Sequence, residues 1–316
     1  MVFLVVFSVI GVASENRPEY GGTLTIGMPV APQGWFNPLI SSSKYDQDVI
    51  KHIFNGLLEI GPDMEYIPSL AERWEFSEDG LEWTFYLRDD VRWHDGKAFT
   101  TKDVNFTFTM LLHPKYFGGK GADFIFIEGA REFKSGEAQF VSGIQVIDDY
   151  TIKFRLTESF APFMESMTFP ILPEHLLKDV PVAELDKASF NLHPVGTGPY
   201  KLQRYVNGQY VELKVNDLYF AGRPYIDSII YKIITNEDAM IIALGNGEID
   251  IAEIQPKYLD YLKAMSNLII YEYPNYSEGY AYMGLNLRKP VFESKTVRQA
   301  LAYAIPRDLF VQTILK

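Results

Sequence analysis

The sequence predicts a mixed α/β fold made of more than one lobe. Three observations carry this. Stretches of period-two and of helical hydrophobic spacing are interleaved along the chain, so strands and helices alternate. Residues 229–252 read as strand, helix, strand, whereas about 60–168 reads as a separate α+β unit. The 316 residues exceed the roughly 100–200 of an ordinary domain.

The elements follow in chain order. "MVFLVVFSVIGVAS" is an apolar run ending in small residues. It is too short for a membrane span of roughly 20 residues and fits the apolar region of an export leader. Gly11 and Ala13 would precede the cleavage point, and the mature chain would begin near Glu15. A buried N-terminal strand is the other reading of this run, and no Lys or Arg precedes it. In "YGGTLTIGMPV", Leu24, Ile26 and Met28 alternate as in a strand. Pro32, Gly34 and Pro38 mark a loop. Val49, Ile50, Ile53 and Leu57 then share a helical face that Gly56 would close.

Further on, Leu81, Trp83, Phe85 and Leu87 occupy one strand face, with Glu82, Thr84, Tyr86 and Arg88 on the other. Asp95–Gly96 is a turn dipeptide. Thr100 and Asp103 fit the capping-box pattern ahead of Val104, Phe108, Leu111 and Leu112 at helical spacing. "GIQVIDDYTIKFRL" predicts a hairpin, and Asn207–Gly208 predicts another. Ile229 to Ile234, a helix capped at Asn236 or Thr235, and Ile249 to Ala252 form a βαβ pattern. Val297, Leu301 and Ala304 or Ile305 line a last helix. Pro306 breaks it, and Leu309, Phe310, Ile314 and Leu315 form the buried stripe of the next. That pattern is still running at Lys316, which reads as a fragment of a longer chain.

Composition narrows the function. A net charge of −12 argues against nucleic-acid and anionic-membrane partners, which require a basic face. The chain has no cysteine, which excludes disulfides, thiolate nucleophiles, Cys-ligated zinc and a lipidated cysteine anchor. The 20 Tyr and 22 Phe suit core packing, or a cleft walled with rings for peptides or sugars.

No catalytic motif stands out. His52, His94, His113, His175 and His193 are scattered, with no HExxH and no G-x-S-x-G. "GTGPYK" at 196–201 lacks both the third glycine of a dinucleotide loop and the GK[ST] of a P-loop. "WHDGK" at 93–97 invites a His94–Asp95 dyad, but adjacent strand residues point to opposite faces. Asp95 is better used as a turn former. A glycosidase needs two facing carboxylates, and no local context singles out such a pair.

"IPSLAERWEFSEDGLEWTFYLRDDVRWHDGKAFTTKDVNFTF" resembles the signature of the family 5 bacterial extracellular solute-binding proteins, the peptide- and nickel-type receptors of ABC importers. "IDDYTIKFRL", "VGTGPYKL", "NGEIDIAEI", "MGLNL" and "VRQALAYAIPRD" continue the likeness in order. Pro306 stands where the family usually carries Asp.

The resemblance implies a periplasmic-binding-protein-like Venus-flytrap fold, mixed α/β, with two lobes and an additional small α+β domain. Residues 1–14 would be the signal peptide. Residues 20–57 and 170–272 would form the first ligand-binding lobe, 58–169 the small domain, and 273–316 the start of an incomplete second lobe. The implied function is delivery of oligopeptides or dipeptides to a permease from the periplasm or the outer face of the membrane. The protein would be a monomer, not an enzyme, without cofactor or nucleic-acid partner. Alternatives on the same fold are oligosaccharides, nickel or haem; a secreted glycosidase is a remote one. By position in the family pattern, Ser42, Ser43, Lys44 and Tyr45 face the cleft. Trp35 offers a ring platform, Asn236 offers amide donors or simply caps its helix, and Tyr280 and Tyr282 line the other wall.

Overall fold

The computed structural model describes residues 2–8, 18–274 and 283–310. Those residues form two units. One holds 2–8, 25–29, 234–274 and 283–310; the other holds 18–24 and 30–233.

The chain begins with β1 (Val2–Ser8), the apolar run read as a leader, and β2 (Thr23–Met28). Helix α1 (Lys44–Ile53) follows, then the short pair β3 (Leu58–Ile60) and β4 (Tyr66–Pro68). Strands β5 (Ala71–Phe76) and β6 (Glu82–Leu87) lead to α2 (Thr101–Leu112) and α3 (Ala130–Ser135). The hairpin of β7 (Ile144–Val146) and β8 (Thr151–Arg155) precedes the short helices α4 (Phe163–Ser166) and α5 (Glu174–Leu177). Strands β9 (Tyr200–Val206), β10 (Tyr210–Val215) and β11 (Ser228–Ile233) form a meander. Then come α6 (Glu237–Gly245), β12 (Ile251–Ile254), α7 (Leu259–Lys263) and β13 (Leu268–Pro274). The helices α8 (Pro290–Glu293), α9 (Lys295–Ala304) and α10 (Arg307–Phe310) end the described chain.

In the second unit, β5, β6, β8 and β7 form an antiparallel sheet in that order. Ring contacts hold its core. Phe154 meets Phe85, Phe108 and Phe163 edge-on at centroid distances of 5.8, 5.2 and 5.8 Å, the geometry that ring quadrupoles favour. The Thr100 capping box is formed. The Thr100 side chain accepts from the start of α2, while Asp103 Oδ2 accepts from Thr100 N at 3.0 Å. Val104, Phe108, Leu111 and Leu112 are buried, as their spacing requires. The Asn207–Gly208 turn is also formed, with Gly208 at φ +72° and Tyr210 registered against Val206.

In the first unit, β12 lies between β2, to which it is parallel, and β1, to which it is antiparallel; β13 flanks β1 on the far side. Helices α6 and α7 cover this sheet. Met240, Ile241, Ala243, Leu244, Ile249, Ala252, Ile254 and Leu262 form the core. Gly27 admits α6 to close range, since a Cβ there would stand within van der Waals overlap of Met240 Sδ and Ile249 Cδ1.

Three sequence expectations are corrected. First, α1 stops at Ile53, and Phe54 is already extended at φ −124°, ψ 155°. Gly56 is therefore no helix cap. It lets two backbones meet, since a Cβ on it would overlap Thr168 O. Leu57 is buried but lies beyond the helix. Second, His94 and Asp95, expected to be strand residues, lie in a turn beside an isolated bridge between Arg92 and Ala98. Third, Leu309, expected in the buried stripe after Pro306, is 61% exposed. Ile314 and Leu315 lie outside the described residues.

Candidate ligand-binding site

Five of the residues singled out in the sequence lie on one stretch of the second unit, the loop before α1 and the first turn of that helix. Lys44 and Tyr45 are helical rather than part of a loop, because α1 starts at Lys44 with Ser43 as its N-cap. Trp35, Ser42 and Lys44 are exposed, and Ser43 and Tyr45 half-buried. Lys44 Nζ lies 3.5 Å from Asp48 Oδ2 and 5.5 Å from the centre of the Tyr45 ring.

This stretch is held from beneath by residues that local patterning did not pick out. Asp46 is fully buried, and its Oδ1 accepts from Gly34 N at 3.0 Å. Burial pushes its carboxyl above the usual range, although the N–H groups of Gly34, Gln33 and Trp35 and the Ser43 hydroxyl pull the other way. Asp46 Oδ2 and Ser41 Oγ are buried without a hydrogen-bond partner. Tyr205 donates from its hydroxyl to Pro32 O at 2.8 Å and packs edge-on against Phe36 at 5.2 Å. Gly34, at φ +81°, admits that ring, because a Cβ would come 2.8 Å from it.

Asn37 and Asn191 are joined side chain to side chain at 3.1 Å, and Phe36 N donates to Asn191 O. Tyr116 donates to Leu39 O at 2.6 Å, and burial holds its hydroxyl up at about 12. Lys120 Nζ donates to Pro38 O at 3.1 Å over the Phe169 ring, with burial lowering its pKa. The result is a rigid backbone that presents Trp35 and the Ser42–Tyr45 segment outward. The partners 77 to 173 positions away could not be inferred from spacing. Asp46 could, as a carboxylate in the first turn of a helix beside a Gly-containing loop.

Asn236 belongs to the first unit. Its Oδ1 accepts from Ala239 N at 2.8 Å, so the side chain caps α6. Tyr280 and Tyr282 lie outside the described residues.

"WHDGK" folds as a turn. Gly96 N donates to Trp93 O, Lys97 N donates to Asp95 Oδ1, and Gly96 has φ +90°. His94 does not meet Asp95. Its Nδ1 accepts from Gly196 N at 3.2 Å and its Nε2 faces Gly198 O at 3.0 Å. Asp95 meets His175 instead, at 2.7 Å. Among the described residues no three His, Asp or Glu side chains are grouped to hold a metal. No described helix is long and apolar enough to cross a membrane.

Comparison with known proteins places this architecture. Residues 65–316 match the model of the bacterial extracellular solute-binding proteins, family 5 middle region. The chain is 30% identical to the oligopeptide-binding protein AppA of Bacillus subtilis over 96% of its own length and 53% of AppA. It is 30% identical to the dipeptide-binding protein of Escherichia coli over 90% of its length and 54% of that protein. The structure of AppA in complex with a nonapeptide superposes with a TM-score of 0.80, covering 95% of this chain and 56% of AppA. NikZ from Campylobacter jejuni in complex with Ni(L-His) is 29% identical, with a TM-score of 0.73 over 93% of this chain and 55% of NikZ. The chain thus spans about half the length of the relatives it matches.

The class is that of proteins with the mixed α/β periplasmic-binding-protein-like fold. The chain belongs to the bacterial extracellular solute-binding proteins, family 5.

Proposed function

We propose that this chain is part of an exported receptor that captures oligopeptides or dipeptides and passes them to the permease of an ABC importer. The observation that carries this is the likeness to AppA, 30% identity over 96% of the chain with a TM-score of 0.80 to a nonapeptide complex. Peptide binding needs no covalent chemistry. A ligand that binds the closed arrangement of a two-lobed receptor more tightly shifts its population, and the closed form is what a permease reads.

In this reading Trp35, Ser42, Ser43, Lys44 and Tyr45 contact ligand on the first lobe, and Asn236, Tyr280 and Tyr282 complete the set. Residues 58–169 act as an additional domain, supported by the antiparallel sheet and the ring-packed core inside that range. The receptor works as a monomer.

Thermal-shift measurements with di-, tri- and nonapeptides on the purified protein test this. A peptide at 100 times its Kd adds about 2.7 kcal/mol of stability, enough to move the melt by a few degrees. Stabilisation by no peptide, together with stabilisation by another solute class, overturns the proposal. The likeness to the NikZ–Ni(L-His) complex favours one second reading, a nickel–histidine chelate whose own histidine supplies donors. Nickel with L-histidine belongs in the same screen.

A further inference from the structure

The stretch "YFGGKGADF" at 116–124 sets Lys120 among three glycines and docks on the chain just ahead of the Ser42–Tyr45 segment. Tyr116 donates to Leu39 O at 2.6 Å, and the backbone N–H of Lys120 donates to the Tyr116 oxygen. Gly118 permits this approach, because a Cβ on it would overlap the Tyr116 hydroxyl and stand 2.9 Å from Leu39 O. The Lys120 ammonium is thereby held 3.1 Å from Pro38 O and 5.6 Å from the centre of the Phe169 ring.

An ammonium carries three N–H donors. That of Lys120 gives one to a neutral carbonyl, and the ring below adds only the partial attraction of a cation–π contact. No carboxylate among the described residues lies within ion-pair distance of it. Lys44, Lys51, Lys153 and Lys257, by contrast, each have a carboxylate within 3.5 Å. Burial alone lowers the Lys120 pKa, with no charged neighbour acting beside it. A desolvated cation without a counter-charge is costly, and an anion that reaches it offsets part of that cost. The way in is open: Lys120 is only half-buried, Gly119 is exposed, and nothing stands within 4 Å of where a Gly119 Cβ would be.

We propose that Lys120 is an anion-recognition residue whose ammonium, beside Pro38, takes a carboxylate of the bound ligand. The carboxylate comes from a peptide's C-terminus or from an acidic side chain. An anion site at Lys120 follows from its surroundings alone; that the carboxylate belongs to a peptide rests on the peptide-receptor function. The competing account is a tether, in which Lys120 only holds Pro38 O, and it predicts no response to ligand charge.

Amine labelling with an N-hydroxysuccinimide ester, read by peptide mapping, tests the site on the unaltered protein. A carboxylate close by favours the charged, unreactive form of the amine by about one pKa unit or more. Saturating acetate, against chloride at equal ionic strength, should therefore slow labelling of Lys120 about tenfold, while the exposed Lys115 is unaffected. Calorimetry with di-, tri- and nonapeptides as free acids, as C-terminal amides and as amides ending in Glu separates the two sources. A C-terminal source makes the amide about tenfold weaker than the acid; a side-chain source makes the Glu-bearing amide about tenfold tighter than the plain amide. Lys120→Met keeps the apolar stem over Phe169 and should abolish the difference, whereas Lys120→Arg should keep it. Labelling of Lys120 that neither acetate nor any free-acid peptide slows overturns the proposal. So do equal affinities for all three peptide forms, or a difference that survives in Lys120→Met. Slowing by acetate when no peptide binds upholds the anion site and counts against the peptide-receptor function instead.

Discussion

His175 Nε2 lies 2.7 Å from Asp95 Oδ2, although eighty positions separate the two residues. The His–carboxylate contact suggested by "WHDGK" thus exists, but with a different histidine. Burial works to raise the Asp95 carboxyl, yet His175 and the N–H of Lys97 outweigh it, and the net shift is downward. The pair ties the turn to the start of α5. A double-mutant cycle with Asp95→Asn and His175→Phe should give a coupling of about 1 kcal/mol at neutral pH, as partly exposed pairs do. Zero coupling in chemical-denaturation midpoints would show that the contact adds nothing.

His94 and His52 should make the protein acid-sensitive. Because His94 Nδ1 accepts from Gly196 N, its proton sits on Nε2 and is donated to Gly198 O. Burial lowers the pKa of each ring to about 4. An unfolded histidine takes up its proton near 6.5, so between about 6.5 and 4 the unfolded chain binds more protons. The stability these rings contribute is then complete above pH 6.5 and is lost as pH falls toward 4, on the order of 3 kcal/mol for each. The buried Asp46 and Asp103 carboxyls, both pushed upward, oppose this near the bottom of the window. The difference between proteins therefore isolates the ring better than the wild-type slope alone. His94→Gln should flatten the fall in Tm between pH 6.5 and 4, and an unchanged slope would refute the assignment.

Gly196 and Gly119 should respond oppositely to alanine. A Cβ on Gly196 would overlap Ile53 O, a backbone atom that cannot swing aside, whereas nothing stands within 4 Å of the Gly119 position. Gly196→Ala should cost about 3 kcal/mol, at the upper end for overpacking. Gly119→Ala should stay within about 0.5 kcal/mol. Equal urea midpoints for the two variants would contradict the close approach.

Asn236 separates a cap from a ligand contact. Asn236→Ala removes the acceptor for Ala239 N and should cost about 1 kcal/mol, while Asn236→Asp keeps the cap and the stability. If the side chain also touches ligand, the alanine variant loses peptide affinity beyond what its stability loss explains. Unchanged affinity by calorimetry would leave the capping role alone.

Trp35 is 41% exposed on a loop whose backbone is pinned by Asp46 and Tyr205. Trp35→Ala should therefore leave Tm within about 2 °C, since exposed substitutions cost little. Peptide Kd should rise at least about tenfold if the ring is a platform. Loss of stability with intact affinity would make Trp35 a packing residue.

Much of this molecule was legible from local signals. The Thr100 capping box, the Asn207–Gly208 hairpin, the Asp95–Gly96 turn and the Asn236-capped helix each depend on residues within about four positions of one another. A pattern that short is read by the backbone wherever it occurs. The ordered motifs from "IPSLAERW" to "VRQALAYAIPRD" also carried the family.

The sequence by itself determined most of the elements, the Thr100 and Asn236 caps, the turns at Asp95–Gly96 and Asn207–Gly208, the exclusion of thiol and disulfide chemistry, and membership in the family. Tertiary structure alone decided that Asp95 takes His175, that Gly56 and Gly196 mark backbone contacts, and that Asp46, Tyr205 and Asn191 hold the Trp35 loop. It also decided that Val2–Ser8 sits between two other strands. Period-two spacing and an apolar run fix which residues avoid water, but a strand's neighbours and a buried carboxylate's donors come from segments far away in the chain. Those partners are chosen when the sheets assemble and every buried N–H and C=O must find a mate.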